Sequence, residues 1–410
     1  MSGARPLRVV LAPNSFKDGA NALQAAAAFE EGVRFFSQIS GRSISTRTVP
    51  ICDGGTGFAE ILGRAVKPLG REIIVDIRDP LGRRRKASYV MVGRSLALIE
   101  SARAIGLALL SPCERNPIRT TSYGVGQIIV DAIRKGARRI LVGCGDSATC
   151  DCGMGLLAAT GVRFFDRAGK EIKNPRPSDL AKVSSFNCEG SVLVGYKGSI
   201  EVVCNLSSIA AGPNSTAITY ARQKGASKAE EKLLLNGIEN FTRLVGDAIQ
   251  NPDAGLLPGS GAAGGIGFAL GAFTPNIHFT YSFETIFREV NLERHLDWAD
   301  VVITGEGLFD RNSAKGKAPV AVALLARRFD VRPIGIVGSI EAGVTSQVLR
   351  SGFELLEPLT DSNLSIEHFI KNFRVLAREA TTRALLKLEG KKASLFTKEA
   401  HPARQIKVKS

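Results

Sequence analysis

The sequence predicts an α/β fold of two domains, one of them Rossmann-like with a mostly parallel sheet, with a cleft between them. Three observations predict it. Short apolar runs recur along the chain, each followed by a Gly- and Asp-rich loop and then a helical segment. At 410 residues the chain is long enough for about two domains. A composition of 44% hydrophobic and 23% charged residues is that of a globular chain, which excludes a disordered or fibrous reading.

Residues 7–12 read as a first apolar strand that stops at Pro13, and residues 20–37, small and apolar on one face, as a helix. Residues 43–50 alternate as a second strand, with DGGTG from Asp53 at its end and a short helix opening near Phe58. Residues 122–135 are helical, 139–143 an apolar strand, and 144–155 a loop rich in Gly and Asp. Later come a strand at 299–304 running into Gly305-Glu306-Gly307, a helix at 318–328, a strand at 332–337 and an amphipathic helix at 365–388. The stretches 69–117 and 167–291 differ, with more alternating strands and glycine clusters. The expected division is 7–68, 118–166 and 292–388 in the Rossmann-like domain, 69–117 and 167–291 in a second α/β domain, and a flexible basic tail over 391–410. Parallel strands would then bring four loops to one sheet edge, 14–17, 53–57, 146–151 and 306–310, where open α/β sheets bind ligands.

The formal net charge is +15, much of it in the run Arg83, Arg84, Arg85, Lys86 and in the tail. With 6% aromatics, one Trp and no helix-turn-helix or zinc-finger pattern, no nucleic-acid partner is expected. The charge suits anionic metabolites instead. No run reaches the ~18 apolar residues of a membrane span. The N-terminal apolar stretch carries Arg8 and reads as a strand, not a signal peptide, so a cytoplasmic monomer or homodimer is expected. Seven cysteines without a CxxC pair read as reduced thiols; Cys144, Cys150 and Cys152 lack the paired motif that would complete a metal site. Four scattered histidines exclude an HExxH metalloprotease and argue against a histidine-based triad.

Several loops carry chemistry. PGSGAAGGIG from Pro258 offers Gly259, Ser260, Gly261, Gly264 and Gly265, whose backbone could approach phosphate closely or simply make a tight packing turn. It is not a Walker A loop, and no strand precedes it as a dinucleotide fingerprint requires. Glu306 leaves a strand four residues before Asp310, with Lys315 and Lys317 beyond, an arrangement that suits a metal–phosphate site. The loop from Cys144 offers Asp146, Ser147, Thr149 and Asp151, and PNSFK from Pro13 places Asn14, Ser15 and Lys17 at a strand end. Arg115 and Arg119 precede a Thr-Thr-Ser helix start, and an arginine there could clamp a carboxylate with two parallel hydrogen bonds.

Taken in order, APNSFK, DGGTG, DPLG, RNPIRTTSYGVG, GDSATCDCGMG, ARQKGA, PGSGAAGGIG and VITGEGLFDRNSAKGKAP resemble the bacterial-type glycerate kinase family. The resemblance spans nearly the whole chain. It implies two α/β domains around a deep cleft and transfer of the ATP γ-phosphoryl group to D-glycerate with Mg2+, most often giving 2-phosphoglycerate. The alternatives are a kinase for another small hydroxy acid, or a silent nucleotide-binding relative. Carried over, Lys17, Asp53 and Asp151 become the catalytic residues, with Asp53 orienting or deprotonating the acceptor hydroxyl and Asp151 holding magnesium, or the two aspartates exchanging these roles. Asn14, Ser15, Arg115 and Arg119 become the acceptor site. Gly259, Ser260, Gly261, Gly264, Gly265, Glu306, Asp310 and Lys317 become the nucleotide site.

The chain departs from the family pattern at several of these positions. Asn14 stands for an aspartate, Thr56 for the glutamate of DGGEG, Asp146 and Cys152 for glycines, and Cys150 for an asparagine of GGSATNDGGAG; the CDVxNPL stretch is altered at Cys204-Asn205-Leu206. Two carboxylates are lost and one gained. Asp146 is expected at the rim of the cleft rather than on the metal.

Overall fold

The computed structural model describes residues 5–16, 19–65, 70–213, 215–309, 318–341, 352–359 and 366–390. Its strands are β1 (Leu7–Pro13), β2 (Ile44–Thr48), β3 (Gly70–Arg78), β4 (Arg84–Val92), β5 (Leu96–Glu100), β6 (Arg139–Gly143) and β7 (Arg163–Asp166). They continue with β8 (Val183–Asn187), β9 (Ser199–Cys204), β10 (Ile277–Tyr281), β11 (Val301–Phe309), β12 (Arg332–Ile340) and β13 (Leu355–Pro358). The chain divides into two compact units, residues 1–51 with 291–410, and residues 52–290.

The first unit holds a wholly parallel five-stranded sheet in the order β13-β12-β11-β1-β2. The interior strand β1 lies between β11 and β2, and its Val9, Val10, Leu11 and Ala12 are fully buried, as expected for a strand covered on both faces. Helix Ala22–Ser40 begins at a reciprocal cap in which Asn21 and Gln24 each accept from the other's backbone, and it stops at left-handed Gly41. It packs on helix Ile366–Leu388 through Gly32, where a Cβ would stand 2.5 Å from Arg378 O. Phe16, Phe29, Phe36, Ile303, Ile336 and Phe373 fill the space between helices and sheet.

The second unit holds a mixed sheet in the order β10-β9-β6-β5-β4-β3, parallel from β10 to β5 and antiparallel from β5 to β3. A separate antiparallel pair, β7 and β8, lies beside it in sequence. The core gathers Tyr89, Ile99, Ile129, Val142, Leu157 and Phe241.

This corrects the expected division. Residues 52–65 and 118–166 belong to the second unit, because β6 is hydrogen-bonded on both sides, to β5 and to β9, and has no partner in the five-stranded sheet. Strand, loop, helix spacing reports a parallel neighbour without saying in which sheet. The four loops therefore fall at two sheet edges. Those after β1 and along β11 belong to the first unit, those at 53–57 and 144–153 to the second. No helix among the described residues is long and apolar enough to cross a membrane.

Candidate active site

In the second unit, the polar loops gather at the C-terminal ends of β5, β6 and β9. Two glycine pairs allow this. A Cβ on Gly143 would stand 2.5 Å from Gly54 O, and one on Gly145 would stand 2.6 Å from Gly55 Cα, so the loops at 53–57 and 143–147 lie backbone against backbone. Asp146 adopts a left-handed conformation (φ 52°). Its Oδ2 accepts from Thr56 N at 3.0 Å and Thr56 Oγ1 at 2.8 Å. Asp53, Thr56 and Asp146 are all exposed. Behind them Glu100, 3% exposed at the end of β5, accepts from Ala59 N and lies 3.6 Å from Arg103 Nε. Burial pushes its carboxyl above the usual range, against the opposing pull of Arg103.

Asp151, the residue expected to hold magnesium, lies in the loop after β6. It is wholly buried, and four donors converge on its carboxylate: Ser122 N, Ser122 Oγ and Gly155 N on Oδ2, and Gly153 N on Oδ1. Ser122 Oγ in turn accepts from Leu156 N at 2.8 Å. The carboxylate thus ties the start of helix Tyr123–Arg134 to the start of helix Met154–Thr160. Burial raises its pKa, and the four donors oppose that rise.

The glycine run is likewise engaged internally. The amides of Gly259, Ser260, Gly261 and Gly265 donate to Leu206 O, Leu257 O, Ser208 O and Gly261 O. Ser260 Oγ donates to Gly255 O and accepts from Ala210 N. Gly264 and Gly265 have φ of 78° and 97° and press on the loop after β6. A Cβ on Gly264 would collide with Thr149 O, and one on Gly265 would stand 2.5 Å from Cys152 Cα. These contacts are those of a tight packing turn against the loop after β6.

In the first unit, Asn14 N donates to Gly305 O at 2.9 Å, and Asn14 Oδ1 accepts from Ser15 N. Glu306, 6% exposed, lies inside β11 in register with Val337, not in a loop after the strand. The expected loop at 305–309 is strand because Gly305 and Gly307 let β12 approach: a Cβ on Gly305 would collide with Ile336 O. Asn14 and Glu306 are brought to one end of the sheet by the β1–β11 register. Lys17, Asp310 and Lys317 lie outside the described residues.

Arg115 and Arg119 flank Asn116, whose Nδ2 donates to Glu230 at 2.7 Å. Arg115 is half-buried with its Nε unpartnered, and its carbonyl lies against Gly225. The residue before that glycine, Lys224, is 7% exposed and donates to Ser147 Oγ at 3.0 Å and to Thr149 O at 2.8 Å. Sequence reasoning missed both Lys224 and Glu100. ARQKGA did carry the lysine, but nothing in its spacing marked it as buried.

A model of the glycerate kinase family matches residues 9–388. The chain belongs to the glycerate kinase family. Among its members, a glycerate kinase from Halalkalibacterium halodurans is 32% identical over 91% of this chain and 96% of its own. A glycerate 2-kinase from Escherichia coli K12 is 35% identical over 83% of this chain and 88% of its own. A crystal structure from Salmonella typhimurium LT2, assigned as glycerate kinase 2, superposes with a TM-score of 0.77 at 32% identity, covering 94% of this chain and 99% of that one. The likeness to family members therefore covers both units.

Proposed function

We propose that this chain is an ATP-dependent kinase that phosphorylates D-glycerate to 2-phosphoglycerate. Family membership across residues 9–388 carries the reading. The gathering of Asp53, Thr56, Asp146 and Ser147 at the ligand-binding edge of the second sheet supports it. Exclusion of water from the bound reactants would limit wasteful hydrolysis of ATP.

Exposed Asp53 is the residue proposed to take the proton from the acceptor hydroxyl. Arg115 and Arg119, with Asn14 and Ser15 from the first unit, are proposed to hold the hydroxy acid. Glu306, Asp310, Lys17 and Lys317 are proposed to surround the nucleotide phosphates. The glycine run takes the part of a scaffold that fixes the loop after β6, since four of its amides are already used.

Magnesium fits this donor set as a partner of ATP rather than as a resident ion. The described residues contain no group of three or more metal-ligating side chains, and magnesium on nucleotides keeps its waters and takes one or two carboxylates. Asp146 fits, being exposed with Oδ1 outside its bonds to Thr56; Asp151 does not, being buried with four donors in place. When bound, the ion offsets the charge on the phosphate oxygens. The carboxylate at position 146 stands against Thr56, where the family pattern has its glutamate, and this favours glycerate over a different hydroxy acid.

A coupled assay tests the reading: ADP release should depend on D-glycerate, and phosphorus NMR should show the phosphate on the C2 oxygen. Folded protein that releases no ADP with glycerate at any pH from 6 to 9 would overturn it.

A further inference from the structure

Among the described residues Lys224 has no carboxylate paired with it, and Asp151, the acid beyond neighbouring Cys150, accepts from Ser122, Gly153 and Gly155 instead. The Lys224 side chain is nine-tenths buried; its acceptors Ser147 Oγ and Thr149 O are neutral, and the Cys150 thiol, which also hydrogen-bonds it, is pushed up by burial. The acids nearest in sequence are engaged elsewhere: Glu230 accepts from Asn116 and Ser227, and Glu231 pairs with Arg222 at 2.6 Å. The surroundings add to the imbalance. Arg115 packs on the neighbouring Gly225 with its Nε buried and unpartnered, and Thr149, wholly buried, leaves its own hydroxyl without a partner. An ammonium group taken from water without a counter-charge is costly, so a chain that keeps one at a ligand-binding edge calls for an anion there.

The Ser147 contact gives that demand a direction. A hydroxyl has one proton to donate and two lone pairs to accept with. Lys224 occupies a lone pair of Ser147, which leaves the Ser147 proton for a further acceptor. We infer that Lys224 and Ser147 form an anion-recognition couple in which the buried ammonium holds and polarises the serine hydroxyl, and the pair binds an anionic oxygen of a reactant, on a carboxylate or on a phosphoryl group. The inference rests on the kinase reading above and deepens it. Ser147 is the group that touches the reactant, and Lys224 is a positioning residue acting through it.

The test compares wild type with S147A, K224M and K224R, varying D-glycerate and ATP separately. S147A and K224M should each lose about 10- to 100-fold in kcat/KM, the weight of a hydrogen bond to a charged group, and K224R should recover part of the loss. A rise confined to the KM for glycerate identifies the carboxylate; a fall in kcat with that KM held identifies the phosphoryl group. Thermal melting with added D-glycerate or inorganic phosphate gives a second readout. Each should raise the wild-type midpoint, and K224M should lose the shift. A K224M protein with the wild-type midpoint, wild-type kinetics and an intact shift would overturn the inference. So would a K224M that only folds poorly while S147A behaves as wild type. Wild type that turns over no glycerate would sink the kinase reading alone, because the phosphate-induced shift would still decide the role of Lys224.

Discussion

Asp146 and Thr56 form one unit, with the Asp146 carboxylate accepting from both the amide and the hydroxyl of Thr56. In sequence they are two separate departures from the family pattern, a glutamate lost and an aspartate gained. In space they are a single exchange that returns a carboxylate to the 53–57 loop from the loop opposite. D146G should therefore lower kcat/KM about 10- to 100-fold. The double variant T56E/D146G, which restores the family arrangement, should recover most of that loss. Steady-state kinetics in a double-mutant cycle measure the coupling, and strict additivity would refute the exchange.

Asp151 predicts a loss of stability rather than of metal. D151A leaves the amides of Ser122, Gly153 and Gly155 buried without an acceptor, at a cost of about 3 kcal/mol or more. Urea unfolding should show the drop. The Mg2+ concentration giving half-maximal rate should stay where it is in whatever activity survives.

For Gly264 the outcome separates scaffold from phosphate cradle. A methyl group there collides with Thr149 O and sits at a φ of 78°, which costs roughly 1–3 kcal/mol in backbone strain before the collision is counted. At Gly41, φ 69° and with nothing within 4 Å of the added carbon, the strain stands alone. G264A should melt well below G41A, with an unchanged KM for ATP in the folded fraction. A selective rise in the ATP KM would restore the cradle.

Acid should act through Glu201. Burial pushes its carboxyl up, but hydrogen bonds from Arg288, Thr285 and Arg139 outweigh burial and hold it at about 2. A folded-state value below the unfolded one means that this contribution is fully present above about pH 4.5 and is lost as pH falls toward 2. Melting temperatures of wild type and E201Q should differ most near neutrality and converge across that window.

Asp53 is the proposed base, so D53N should lower kcat by roughly 10²–10⁴ while leaving the KM for ATP nearly unchanged. Stopped-flow or steady-state rates would show it, and wild-type turnover in D53N would move the base elsewhere.

Periodicity made much of this legible. The apolar run ending at Pro13, the helix beginning after Asn21 and the run 139–143 all appear where local pattern puts them, because a strand or helix buries one face according to residues close in sequence. Partner choice was not legible. β6 joins β5 and β9 through contacts that sequence spacing does not encode, and that alone moved residues 118–166 into the other unit. The site failed in the same way. Asp151 and Lys224 look alike as charged residues near glycines, yet each is buried by the packing of segments far apart in the chain. Glu306 was read as a loop residue because its flanking glycines signal turns, when here they let two strands come close.

The position of β1 has a consequence for how the protein is made. β1 is an interior strand of its sheet, yet its partner β11 follows about 240 residues of the other unit. At about 5–20 residues per second, a ribosome takes roughly 12–50 s to cross that interval. Throughout it, Val9, Val10, Leu11 and Ala12 have only β2 beside them, and the helix Ile366–Leu388 that will cover their sheet has not been synthesised. The nascent chain thus carries an open apolar strand edge while the inserted unit is synthesised, and yield in the cell should depend on whatever shields residues 7–13 during that wait.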